Sequence, residues 1–135
     1  MITRKIDWQL EFEKVVSEHK DKPFIWGEHD CVLWAANAVL AITEFDAAEG
    51  FRDSYSTALG AAKLLKDFGG MESLVTKKLD REPVAPAFAN VGDVLMGLQE
   101  SQPMLAICNG ETMLAPGVEG LVALPTLSAV KAWKI

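Results

Sequence analysis

The sequence predicts an α+β domain, with helices first and an antiparallel β-meander after them. Three observations carry this. Between about residue 7 and residue 79 four segments, separated by turns and loops, have the apolar spacing or content of helices. From Gly92 onward the pattern changes to short apolar runs broken by turns. Between two of those runs stands Asn109-Gly110, a dipeptide that favours a tight hairpin. Helices and strands segregated along the chain are the mark of an α+β arrangement.

The first helix is placed from about Asp7 to His19, where Leu10, Val15 and Val16, with Trp8 and Phe12, give an amphipathic stripe flanked by charge. It is expected to pack on the second helix. Pro23-Phe24-Ile25-Trp26 is extended or irregular after its proline and leads into a turn at Gly27. The second helix, Cys31 to about Thr43, is apolar on most faces and so should be the central buried one; its odd residue, Asn37, is read as a structural hydrogen-bonding contact. Ser56 or Thr57 caps a third helix that runs through Phe68 and stops at Gly69-Gly70, and Met71 to Leu79 makes a fourth. Arg81 to Asn90, with Pro83 and Pro86, is a connector. Strands follow at Asp93–Leu98, Met104–Cys108, Thr112–Ala115, Leu121–Leu124 and Lys131–Ile135.

Composition narrows the classes of function. The chain has 135 residues, enough for one domain with a core that buries about two thirds of the unfolded surface. Half the residues are hydrophobic and the net charge is −6, with acids spread rather than blocked. Binding of nucleic acid or an anionic membrane through a basic surface is therefore not expected. The charged start and the lack of a long apolar stretch lead us to expect no membrane insertion and a product made in the cytoplasm without a signal peptide. Cys31 and Cys108 are the two cysteines, read as thiols rather than a disulfide. No metal-ligand spacing, EF-hand loop or glycine-rich phosphate motif is present, so neither a metal nor a cofactor is expected. Oligomeric state is not legible.

Chemistry concentrates in Trp26-Gly27-Glu28-His29-Asp30-Cys31. Asp30 has the side chain of an N-cap, which puts Cys31 at or next to the first helical residue. Unpaired N–H groups and the positive end of the helix dipole favour a thiolate there, so Cys31 is placed like a nucleophile, unless it is one more small buried hydrophobe. His29 either folds back from the bent chain toward the sulfur as a general base or is a turn histidine bonded to backbone. His19 closes a charged helix end and is read as structural. Trp26 is a wall of a groove beside Cys31 or a core aromatic, with Phe24 in the same position. Arg52 and Tyr55 are suited to recognise a carboxylate or to order their own loop.

Gly27, a polar pair, Asp30-Cys31 and an apolar helix resemble the nucleophile turn of NlpC-like cell-wall cysteine peptidases, a permuted branch of the papain-like fold. Val91-Gly92-Asp93-Val94-Leu95 resembles that family's Pro-Gly-Asp-Leu-Val, and Met104 to Gly110 resembles its following strand and turn. The order of Trp26-Gly27, His29-Asp30-Cys31, Phe51-Arg52, Tyr55, Gly60-Ala61, Gly69-Gly70, Gly92-Asp93-Val94 and Ala132-Trp133 is similar to a small uncharacterised branch encoded in tailed phages and prophages. The likeness spans nearly the whole chain and implies a single NlpC-like domain over residues 1–135.

Two departures qualify what the resemblance implies. Val32-Leu33 follows the cysteine where the family has Ser-Gly, and Gln102 stands where the family's catalytic histidine would be. The first expectation is a phage-tail-associated hydrolase, a cysteine peptidase or amidase acting on peptidoglycan peptides. In it Cys31 is the nucleophile, His29 a non-standard base, Asp30 and Gln102 supporting or oxyanion groups, and Trp26, Arg52 and Tyr55 the substrate groove. The second is a pseudoenzyme, the same fold without activity, serving as a tail-assembly or adaptor module that binds a phage tail protein. A third, an amidase or acyltransferase on a small substrate, rests on the thiol alone.

Overall fold

The structure, a computed structural model, describes residues 2–135. They form four α-helices followed by a five-stranded antiparallel sheet. Helix α1 (Trp8–His19) buries Phe12 and Val15 against helix α2 (Cys31–Thr43). Helix α2 is central, as its all-round apolar sequence requires: Trp34, Ala38 and Ile42 are fully enclosed. Its first turn is fixed by Asp30, whose carboxylate accepts the Leu33 N–H at 2.9 Å. Helix α3 (Ala58–Asp67) is capped by Thr57 rather than Ser56, its hydroxyl accepting the Gly60 N–H at 3.0 Å. The α3 helix closes through Gly69-Gly70, both at positive φ, with the Gly70 N–H on the Leu65 carbonyl at 2.8 Å. Helix α4 (Met71–Leu79) then buries Met71, Leu74, Val75 and Leu79.

Strands β1 (Val94–Gln99), β2 (Gln102–Cys108), β3 (Thr112–Gly117), β4 (Gly120–Pro125) and β5 (Lys131–Trp133) stand in the order β4-β3-β2-β1-β5. The first four are the expected meander. The last crosses back to the open edge of β1, pairing Val94 with Trp133. It is also shorter than Lys131–Ile135, because its last two residues serve another purpose. The buried Asp93 carboxylate takes the Ile135 N–H (2.8 Å) and the Lys134 ammonium (2.6 Å), together with Arg4 (2.9 Å) and the Asn90 N–H (2.8 Å). One carboxylate thus ties both terminal segments to the start of β1.

The strands read as continuous apolar runs because both sheet faces are covered. Val94, Met96, Leu105, Ile107 and Leu114 pack under the helices. Leu95, Met104, Ala106, Cys108 and Met113 pack with Ala129, Val84 and Ala89 of the later connections. At the second hairpin the turn is centred one residue later than Asn109-Gly110 implies: Gly110, at φ 101°, is a middle residue, and the Asn109 N–H donates to the Thr112 carbonyl at 2.7 Å.

Candidate functional site

The turn before α2 is closed on itself. Ile25 and His29 exchange backbone hydrogen bonds at 3.1 and 2.8 Å. Gly27 sits at φ 81°, and a Cβ there would lie 2.2 Å from the Tyr55 carbonyl oxygen, so this position demands glycine on two counts. Asp30, 1% exposed, accepts from the Leu33 N–H, the Gly27 N–H (3.0 Å) and the Tyr55 hydroxyl (2.6 Å). A single carboxylate therefore joins the helix, the turn and the loop after α2. Burial, followed by the hydrogen bond and charge of Asp30, holds the Tyr55 phenol protonated well above its usual range.

Cys31 is the first residue of α2 and lines a cleft of about 430 Å³. That is the size of a ligand site. Phe24 and Trp26, packed edge to face with centroids 4.8 Å apart, form one wall. Tyr55 and the apolar side of α3 form another, and the tip of the β1–β2 hairpin, with Gln99, Glu100 and Gln102, the rim. The fold thus gathers Trp26, Asp30, Cys31, Tyr55 and Gln102 around one opening.

Burial works against the activation that the helix position implies for the thiol. Burial pushes the Cys31 pKa up to about 11, and the Asp30 charge adds to the rise. Backbone N–H groups of Leu105, Cys31 and Val32 face the sulfur and favour the thiolate, but desolvation outweighs them. The helix N-terminus favours the anion and burial opposes it, since a helix N-terminus lowers a thiol pKa only where the anion is also solvated or paired.

His29 is not brought into the cleft. Its ring is 4% exposed and stacks on His19, with centroids 5.5 Å apart and planes 30° from parallel, and it meets Trp34 edge-on. Neither ring nitrogen has a hydrogen-bond partner among the described residues. Burial, and then the neighbouring His19 and Lys22, lower its pKa. His19 in turn donates from Nδ1 to the Val15 carbonyl at 2.7 Å, the structural role read from the sequence.

Arg52 is likewise absent from the cleft lining. Its guanidinium clamps Asp46 through two bonds of 2.9 Å and reaches the Asn37 amide oxygen at 2.8 Å, which gives Asn37 its structural partner and holds the Asp46 pKa down. Arg52 and Tyr55 do recognise carboxylates, but the protein's own. Gln102 lines the rim, exposed and opposite Gln99 in the β1–β2 register. Side chains alternate along a strand, so Gln102 shares its side with Met104 and Ala106, of the cluster against which Cys31 also packs. Residue Glu100 was missed by sequence reasoning, although Gln99-Glu100-Ser101-Gln102 between two apolar runs is a hairpin signal.

Among the described residues no helix is long and apolar enough to cross a membrane, and no group of three or more His, Cys, Asp and Glu side chains is placed to hold a metal ion. The molecule is an α+β domain in which a cysteine-headed central helix meets an antiparallel sheet beside an apolar cleft. It belongs to the family described as a domain of unknown function, DUF6950, whose model matches residues 3–135. No curated protein and no solved structure matches it.

Proposed function

We propose that this is an NlpC-like domain that binds rather than cleaves: a phage- or prophage-encoded tail-assembly or adaptor module whose cleft over Cys31 holds part of another tail protein. One observation carries the non-catalytic reading. The cleft is lined by Cys31 but by no imidazole, His29 being packed against His19, and burial raises the thiol pKa. Attack on an amide requires a base to take the thiol proton and an acid to return one to the leaving amine, and no histidine lines the cleft to do either. The tail setting is supported by the ordered likeness of the sequence motifs.

Peptidase or amidase action on peptidoglycan peptides is the second reading, and one feature favours it. The backbone N–H groups around the Cys31 sulfur are the kind of donors that hold an oxyanion. Incubation with purified muropeptides, followed by mass spectrometry, separates the two. We expect no cleaved amide, and the same retention of co-encoded tail proteins by wild type and Cys31→Ala. Cleavage that disappears in Cys31→Ala would overturn the binding reading.

A further inference from the structure

The charges of the cleft name its occupant more closely, on the assumption that the cleft is a binding site. Its lining includes two ionisable acids, Asp30 and Glu100, and no lysine, arginine or histidine. Asp30 is consumed by its three internal donors and 1% exposed. Glu100 differs: it is exposed at the rim and makes no ion pair or side-chain hydrogen bond among the described residues. It also occupies an unusual backbone. Glu100 and Ser101 are the two middle residues of the β1–β2 turn, at φ 52° and 67°, where glycine or asparagine is the ordinary choice. The rest of the lining is largely aromatic and aliphatic, Trp26, Tyr55, Leu64 and Leu65 among it.

We infer that the cleft takes a segment of a partner protein in which a lysine or arginine stands next to a large apolar side chain. The apolar group enters between Trp26 and α3, and the cation is met at the rim by Glu100. An anionic segment finds no positive partner and faces a molecule of net charge −6. The tip residues Gln99 and Gln102, beside Glu100, are free to hydrogen-bond the segment's backbone.

The test uses blocked synthetic peptides, Leu-Lys-Leu-Lys-Leu and its counterpart Leu-Glu-Leu-Glu-Leu, titrated against the full chain with ¹H-¹⁵N spectra. Binding of the lysine peptide should shift the Trp26 indole and the Glu100 and Gln102 amides. Glu100→Lys should weaken it about five- to tenfold and improve the glutamate peptide, in keeping with a partly solvated charge pair. Glu100→Gln, which keeps size and polarity, should weaken the lysine peptide less and leave the fold's spectrum unchanged. Equal binding of the two peptides, binding indifferent to residue 100, or no binding of the lysine peptide would each overturn the inference. Mass spectrometry of the recovered peptide separates its failure from that of the binding reading: an intact peptide bound without charge preference defeats only the inference, whereas a hydrolysed one defeats the non-catalytic assignment.

Discussion

The turn from Ile25 to Cys31 has two sides, and they are built on opposite principles. On the cleft side Trp26, Tyr55 and Cys31 border open space, and every hydrogen bond of Asp30 beneath them is satisfied. On the histidine side His29 is buried, packed against His19 and Trp34, with neither ring nitrogen paired among the described residues. A Cys-His pair needs both groups on one side of the chain. Here His29 stacks on His19 and is absent from the cleft that Cys31 lines.

Removing the Asp30 carboxylate should have the largest effect. Asp30→Ala deletes the helix cap and leaves the Tyr55 hydroxyl and the Gly27 N–H unsatisfied, which should cost about 3 kcal/mol or more and lower the Tm by about 10 °C. A change in Tm below about 2 °C in thermal unfolding would mean that the network does not hold the turn. Tyr55→Phe removes one hydrogen bond to the same carboxylate and should cost about 1.5 kcal/mol, measured by urea unfolding, while sparing the cleft's aromatic wall.

On the other side, His29 predicts a pH dependence rather than a fixed loss. Its folded pKa lies below the unfolded value of 6.5, so below that pH the unfolded chain binds the proton more readily. The stability attached to His29 is complete above about 6.5 and is lost as the pH falls toward the lowered folded value. Unfolding free energies between pH 7 and pH 5 should decline less steeply in His29→Gln than in wild type. Equal slopes would show that the histidine is not enclosed as described.

Much of the scaffold was legible because it is locally encoded. The Asp30 cap, the Gly69-Gly70 stop and the largely apolar α2 each specify their element within a few residues. What could not be read was where long-range partners lie. Nothing near Arg52 says that its guanidinium goes to Asp46 and Asn37, and nothing near Asp93 says that Arg4 and Lys134 converge on it from the two ends of the sequence. The site was half legible for the same reason. Spacing put Cys31 at the head of a helix, but the packing that encloses it is contributed in part by β2, about seventy residues on, whose Met104 and Leu105 belong to the clusters it packs against. The return of β5 to β1 is likewise a tertiary event, driven by burial of Trp133 and by its indole N–H reaching the Thr76 hydroxyl at 3.1 Å.

The measurement that bears most directly on the binding account is the pH profile of Cys31 alkylation by iodoacetamide, followed by peptide mass spectrometry in wild type and His29→Gln. We predict negligible labelling at pH 7, a rate that climbs toward a midpoint near the pKa of about 11, and the same profile in both proteins. A midpoint below the ordinary thiol value of about 8.5, moving upward when His29 is replaced, would reveal an activated Cys-His pair and contradict the account.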